Sequence, residues 1–277
     1  MSSTRAKRAD YSRHIFVVFS LVALGIFAWP LFAGSGLVEA GAAITLSLVA
    51  IPVIALVLSL MADSSLRSVN TLALVGVLSG VAALARVLST GFGGFELVFV
   101  VVILAGRVLG SRPGFVVGML AIALSSLVWG GFGPWTPYQM IALGWVGLGA
   151  GLIPTKWGRE SGLVSRREVL MLAAYGVVAS YLFGLLMNLW FWPVAVGPET
   201  SISLDSDASL GDNLASFLLY SLATSTITWD TVRAITTVVT LLLVGGATLR
   251  ALRRVYSRDE LDREVLGLGV VEDKSIS

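Results

Sequence analysis

The chain has 277 residues, of which 56% are hydrophobic and 13% are charged, and its formal net charge is +2. A soluble domain carries about 25% charged residues, so this composition excludes an ordinary soluble protein and predicts several membrane spans. The absence of cysteine excludes disulfides, thiol catalysis and thiolate metal sites. The one histidine, His14, lies where a basic tail meets the first apolar run, and we interpret it as an interfacial residue.

Apolar runs predict eight transmembrane helices between two polar tails, residues 1–13 and 255–277. The first run, His14–Gly34, is long enough to be a retained span rather than a cleaved signal peptide. A loop rich in Ser and Asp, Pro193–Asp212, precedes an apolar stretch, Asn213–Ile227, that we interpret as a half-helix at the membrane interface. The other seven helices are predicted at Gly41–Met61, Val69–Thr90, Phe95–Gly106, Pro113–Trp129, Pro137–Leu152, Val169–Trp192 and Thr228–Leu249.

The distribution of Lys and Arg orients these helices, because short loops rich in basic residues stay on the cytoplasmic side. With the N-terminus inside, all 19 basic residues except Arg86 and Arg233 fall in cytoplasmic tails or loops. The alternate loops contain acidic residues but no Lys or Arg. We therefore predict a multi-pass protein of the cell membrane with both termini in the cytoplasm.

Charged residues cluster at the predicted outer ends of several helices. An ionisable group inside a bilayer is costly and usually faces a partner or a cavity. Arg86 can pair with Glu96 across a glycine-rich turn, while Asp230 and Arg233, three residues apart, share one helix face. Two interpretations stay open: purely structural ion pairs, or an outward-facing pocket for a polar molecule that stacks on aromatic rings.

A glycine-rich loop, Gly130–Pro137, lies at the same predicted end. Pro134 and Pro137 stiffen it, and Trp135 and Tyr138 offer flat apolar surfaces. Such aromatic residues are typical either of an interfacial belt or of a ligand site. We predict a substrate-binding site, with no catalytic residue and no metal, formed by Arg86, Glu96, Trp135, Tyr138, Gln139, Asn188, Trp190, Asp230 and Arg233.

Small residues at four-residue spacing mark three of the helices, and in a membrane such residues let helix backbones approach closely. The pairs Gly114 with Gly118 and Gly147 with Gly151 indicate ordinary packing inside the bundle. The helix Val69–Thr90 carries two overlapping stripes and can therefore pack on two sides. These stripes consist of Gly76 with Gly80 and of Ser79 with Ala83.

The segment Phe95–Gly151 resembles a known family. A short helix, a Gly-x-x-x-Gly helix, a GPWTP loop and a glycine-rich helix follow one another, as in the substrate-binding S component of energy-coupling factor (ECF) vitamin transporters. Gly133–Met140 is the most specific part of this resemblance. It extends over residues 69–254 and implies an all-α fold with a six-helix core, to which residues 14–62 add two N-terminal transmembrane helices.

The resemblance also implies a function. An S component has no ATPase of its own and binds a vitamin or related micronutrient from outside, through loops that here correspond to Thr90–Gly94, Gly130–Pro137 and Pro193–Ile227. It delivers the ligand together with a transmembrane coupling subunit, the T component, and two ABC-type ATPases. A mouth with several tryptophans favours a large or planar ligand such as a corrinoid or a flavin. Docking on the coupling subunit would use the small residues Gly76, Ser79, Gly80 and Ala83.

Two other classes of membrane protein are alternatives for this sequence. An intramembrane hydrolase or transferase needs a nucleophile with a base, or paired acids with a metal, and the usual sets are absent from this sequence. A stand-alone secondary carrier or channel usually shows inverted repeats or helices broken near the midplane, and neither pattern is seen. The sequence thus favours an S component in the lipid bilayer, with no cofactor and no nucleic-acid partner.

Overall fold

The described part of the chain is all-helical. The computed structural model describes residues 16–31, 69–89, 93–154, 164–197, 200–205 and 207–256. These residues form helices and turns without a β-strand, and four of the helices are long and apolar enough to cross a membrane. The predicted helix Gly41–Met61 and both tails lie outside the described residues. An all-helical membrane protein is therefore confirmed, and the total of eight spans stays a prediction.

Apolar runs locate the helices close to their predicted bounds. A 3₁₀ turn, Trp29–Leu31, follows the first helix. The helix that leads to the candidate site has Ser165 as its N-cap, because Ser165 Oγ accepts a hydrogen bond from the Glu168 N–H at 3.1 Å. In the described ranges the helices are α1 (Phe16–Phe27), α2 (Val69–Ser89), α3 (Val98–Leu109), α4 (Ser111–Val128), α5 (Thr136–Leu152), α6 (Arg166–Ala195) and α7 (Leu210–Tyr256).

The largest correction concerns the C-terminal helix. The predicted interfacial half-helix Asn213–Ile227 and the predicted span Thr228–Leu249 belong to one continuous helix of 47 residues, α7. Two π-helical stretches, Leu222–Asp230 and Leu241–Gly245, lie within it. A π-helix has i→i+5 hydrogen bonds, so it shifts the apolar period without ending the helix. This shift explains why the sequence pattern indicates a boundary near residue 228.

Helices α3, α4 and α5 pack closely through glycines. A Cβ atom built on Gly106 or Gly114 would collide with the backbone of Gly147. Gly118 and Gly151 make equally close approaches to the backbone of a neighbouring helix or its first turn. The predicted internal packing of the small-residue stripes on α4 and α5 is therefore confirmed.

Helix α1 packs against this group of helices. The ring of Phe16 meets the ring of Phe115 edge-on, with centroids 5.3 Å apart. Beyond α1, the Trp29 indole N–H donates a hydrogen bond to the Trp190 carbonyl oxygen at 3.1 Å. α1 therefore contributes to the same buried core as the helices that follow it.

Charged residues collect at two ends of the bundle. Glu168 lies in the first turn of α6, and Asn188 lies roughly 30 Å further along that helix at 1.5 Å per residue. This separation is close to the hydrocarbon thickness of a bilayer, about 30 Å. We call the first the Glu168 end, which includes Arg107 and Arg253, and the second the Asp230 end.

Candidate ligand-binding site

Arg233 is the centre of a polar cluster at the Asp230 end. Its Nη1 donates to Asp230 Oδ1 at 2.7 Å and to the Ser180 carbonyl oxygen at 3.2 Å, and its Nη2 donates to Glu96 Oε1 at 3.1 Å. Arg233 and Asp230 are both buried, so each charge depends on the other for compensation. The predicted Asp230–Arg233 pair is confirmed.

Two aromatic rings enclose the Arg233 guanidinium. Its Cζ atom lies 5.3 Å from the ring centroid of Phe99 and 5.1 Å from that of Phe183. At these distances the negative face of a ring attracts a cation. Neither phenylalanine was among the residues predicted for the site. The three-residue spacing between Glu96 and Phe99 is the signal that could have identified the first.

Polar residues of α6 and α7 hold the other carboxylate oxygen of Asp230. Ser225 Oγ donates to Asp230 Oδ2 at 2.8 Å, and Asn188 Nδ2 donates to Ser225 Oγ at 3.0 Å and to Ser221 Oγ at 2.8 Å. Ser225 and Asp230 are five residues apart, the hydrogen-bond spacing of a π-helix. α-Helical periodicity does not bring these two positions together, and neither Ser225 nor Ser221 was among the residues predicted for the site.

The close approach of α6 and α7 at this cluster depends on Gly184. A Cβ atom built on Gly184 would collide with the carboxylate of Asp230. Gly184 lies one turn before Asn188 on the same helix. Because Gly184 has no side chain, the Asp230 carboxylate fits between α6 and α7.

The turn before α3 brings Glu96 to Arg233. Gly94 has a φ of 90°, and a Cβ atom built on it would lie 2.5 Å from the Trp229 carbonyl oxygen. Glycine alone suits both the backbone conformation and the close contact. The turn consequently lies directly against α7, where the partly exposed Glu96 side chain reaches Arg233.

Arg86 on α2 provides a second group of polar contacts nearby. Its Nη1 donates to Ser125 Oγ at 2.9 Å, and its Nη2 donates to Gln139 Oε1 at 3.0 Å. Ser125 was not among the predicted site residues. The proposed pairing of Arg86 with Glu96 stays a prediction: the two side chains line one cavity, and the ion pair described for Glu96 is with Arg233.

The cavity between these groups is small, with a volume of about 40 Å³. It has room for one or two water molecules, whereas sites for drug-sized ligands occupy roughly 300–1,000 Å³. A vitamin-sized ligand therefore requires the walls to move apart. The walls combine charged groups, an amide and flat rings: Arg86, Glu96, Phe99, Gln139 and Phe183.

Trp135 lies one helical turn outward from the cavity. The Gln139 N–H donates to the Trp135 carbonyl oxygen at 3.0 Å, so these two residues share one face of the first turn of α5. The Trp135 side chain is 44% exposed and contacts Gly133. Trp129 and Phe132 in the same loop are also exposed. An aromatic belt and a stacking surface both agree with this placement, so the role of Trp135 stays a prediction.

Tyr138 and Trp190 lie in the core instead of lining the cavity. Their rings stack with centroids 4.3 Å apart and planes 5° from parallel, and both residues are buried. Phe27 of α1 packs edge-on against Tyr138 at 5.1 Å. In this structure the pair joins α1 to α5 and α6, and its predicted part in ligand binding is untested.

Most of the chain matches a known protein family. The family described as ECF transporter, substrate-specific component, matches residues 70–245, more than half of the chain. The chain belongs to this family. The resemblance seen in the sequence is thus confirmed, and the matched segment includes the whole cluster around Arg233. The chain matches no curated protein and no solved structure.

Members of this family are substrate-binding transport subunits and not enzymes. The family implies association with a T component and with ATPases. Together with the membrane-spanning helices, it makes this chain a substrate-specific component of an ECF transporter in a membrane.

In this S component the small residues of α2 divide between two faces. A Cβ atom built on Gly76 or Gly80 meets no atom of the described residues within 4 Å. Ser79 and Ala83 are buried, and Ser79 Oγ donates to the Val75 carbonyl oxygen at 2.7 Å. Of the four predicted docking residues, the two glycines therefore face away from the other described helices.

Proposed function

We propose that this S component binds a vitamin or related micronutrient in an enlarged form of the cavity at the Asp230 end, on the extracytoplasmic side of the cell membrane. One observation carries the proposal: Arg86, Gln139 and Glu96 converge on a single cavity whose remaining walls include the rings of Phe99 and Phe183. Few polar groups placed among apolar and aromatic walls are typical of small-molecule sites.

The chemistry of these walls favours a planar ligand with polar edges. Arg86 donates hydrogen bonds, Gln139 both donates and accepts them, and the Glu96 carboxylate accepts them. Phe99 and Phe183 offer apolar rings to the body of the ligand. Of the two ligand classes that the tryptophans suggested, a flavin-like nitrogen heterocycle suits this arrangement better than a corrinoid, which needs a still larger opening.

Two short segments at the rim can open a path to the cavity, and the side chains on α2, α3, α5 and α6 that line it then move apart to make room for the ligand. One is the turn that contains Gly93 and Gly94, and the other is the loop 129–135, which precedes α5. Loops of this kind open and close over ligands in many binding proteins. On closing, Trp135 covers the bound ligand from outside.

The ligand is tested by mass spectrometry of small molecules released from the purified full-length protein. We expect one dominant planar micronutrient, which rebinds to the emptied protein and binds less tightly to the Gln139→Ala variant. A molecule that binds equally well to Gln139→Ala places the site elsewhere. Release of a corrinoid would contradict the proposed flavin-like ligand but not the proposed location of the site.

For transport, we propose that the face of α2 with Gly76 and Gly80 docks on the T component, which works with two ABC-type ATPases. Gly80→Leu should abolish co-purification of the coupling subunit while the ligand still binds, because the added side chain holds the helices apart. Gly25→Leu is the matched control, since Gly25 on α1 also has no atom of the described residues within 4 Å of its Cβ position.

If Gly25→Leu is the variant that abolishes assembly, the docking surface lies on α1. Loss of ligand binding in Gly80→Leu would mean that this stripe packs inside the core. Uptake that does not depend on ATP hydrolysis would instead favour the alternative function, a stand-alone secondary carrier or channel.

A further inference from the structure

A second cavity, of about 410 Å³, lies at the Glu168 end between α6 and α7. Its walls are mainly apolar, and its edge carries Arg166 from the start of α6 and Arg250 from α7. Arg250 is roughly 30 Å along α7 from Asp230 at 1.5 Å per residue. The cavity is therefore separate from the candidate ligand site.

The π-helical stretch Leu241–Gly245 forms one border of this cavity. π-Helical turns inside α-helices are frequent at functional sites. Gly246 follows directly, and a Cβ atom built on it would lie 3.7 Å from Val169 Cγ2 and 3.8 Å from Arg250 Nη1, which is ordinary contact distance. A small residue thus keeps the space between the helices open where a larger one would fill it.

The two arginines at the edge differ from their neighbours in having no carboxylate partner among the described residues. Glu168 pairs with Arg107, at 2.7 Å between Nε and Oε1, and also with Arg253. Arg166 and Arg250 form no ion pair with any residue in the part of the chain that the structure describes, and both are exposed. Their charges are available to an anion at the mouth of the cavity.

We propose that this cavity binds an anionic phospholipid, with its phosphate at Arg166 and Arg250 and an acyl chain along the apolar wall. Leu170, Leu242 and Leu243 line that wall and are largely exposed. A free phosphate would use only the arginines, whereas a phospholipid satisfies the charges and covers the leucines. Basic pockets between transmembrane helices at a membrane interface are known to bind acidic lipid headgroups.

Native mass spectrometry of the full-length protein in detergent tests this proposal. Phosphatidylglycerol and phosphatidylcholine with identical acyl chains are offered in equal amounts, and inorganic phosphate is added in a separate arm. We expect retained phosphatidylglycerol to exceed phosphatidylcholine and free phosphate to compete weakly. Replacing Arg166 and Arg250 together by Gln should lower its retention by about fivefold for each arginine.

Two further variants distinguish a specific lipid-binding site from a general effect of positive surface charge. The Arg167→Gln/Arg254→Gln protein loses the same net charge in the same turn of α6 and the next turn of α7, outside the cavity lining, and should keep the lipid. Gly246→Leu keeps both arginines but fills the cavity, and should lose the lipid. Melting temperatures in detergent establish that each variant is folded.

If the Arg167→Gln/Arg254→Gln control loses as much phosphatidylglycerol as the Arg166→Gln/Arg250→Gln protein, retention depends only on overall positive charge. That result would overturn the proposal. So would an absence of preference between the two lipids in the unaltered protein, or competition by free phosphate as strong as by the lipid. If the Arg166→Gln/Arg250→Gln variant keeps its lipid but loses the coupling subunit in a pull-down, the cavity is a protein-docking surface and the proposal fails.

Discussion

Two buried charged clusters at opposite ends of the bundle compensate their charges in opposite ways. At the Asp230 end one arginine is shared by two carboxylates, and at the Glu168 end one carboxylate is shared by two arginines. A lone charge buried away from water is strongly destabilising, so each cluster has to keep its partners. The first of them lies beside a cavity that further polar side chains line.

The difference between the clusters lies in their exposure. Glu96 has 30% of its side chain exposed, whereas the side chain of Glu168 is fully buried. Arg107 at the second cluster also donates to the Ile153 carbonyl oxygen at 2.7 Å. The Asp230 end therefore has a carboxylate that can exchange a protein partner for a ligand, while the Glu168 end ties α3, α6 and α7 together.

The largest expected effect is on stability, and it follows from removing the buried carboxylate at the Glu168 end. Glu168→Ala leaves the buried Arg107 and the partly exposed Arg253 without their carboxylate, which should lower the free energy of unfolding by about 3–5 kcal/mol, mainly through Arg107. Thermal denaturation in detergent measures this, with ligand affinity of the folded fraction as the second readout. Arg253→Gln is the milder control, because Glu168 keeps Arg107. A stable Glu168→Ala protein that has lost ligand binding would reverse the roles of the two ends.

A smaller effect is expected at the Asp230 end. Asp230→Asn should cost about 2 kcal/mol of stability, the range for a hydrogen bond to a charged group, because Arg233 keeps its pair with Glu96. The double variant Asp230→Asn/Arg233→Gln should lose less than the sum of the two single variants. Denaturation of all three proteins measures the coupling, and strictly additive losses would show that the two residues do not interact.

The smallest predicted effect concerns the rim. Trp135→Ala should weaken ligand binding by about 1 kcal/mol, or roughly fivefold, because a half-exposed ring contributes near the lower end of aromatic stacking energies. Calorimetric titration measures the affinity, and Trp129→Ala in the same loop is the matched control. Equal affinity in Trp135→Ala and the unaltered protein would assign Trp135 to the aromatic belt.

The sequence predicted most helices because long apolar runs and small-residue spacing report directly on membrane spans and their packing. It did not predict the continuity of α7, since the π-helical stretches change the period on which the boundary near residue 228 was based. Ser225 lies in the first of these stretches and Ser221 directly precedes it, and neither was among the predicted site residues.

Within the site, the Asp230–Arg233 pair was predictable because three-residue spacing on a helix brings side chains together. The roles of Phe183 and Ser125 depend on how separate helices approach one another, and no local pattern reports that. Glu168 was missed for another reason. It follows two arginines in the first turn of α6, a pattern that usually indicates an exposed helix start, and only the packing of α3 and α7 buries it.

Removing one arginine at each end of the bundle tests most directly whether the Asp230 end binds the ligand and the Glu168 end does not. The released ligand is titrated into the Arg86→Gln and Arg253→Gln proteins by calorimetry. Arg86→Gln should bind about tenfold more weakly or worse, because it removes a charged donor from the cavity, and Arg253→Gln should bind as the unaltered protein does. Unchanged affinity in Arg86→Gln, or a greater loss in Arg253→Gln, would contradict a ligand site at the Asp230 end.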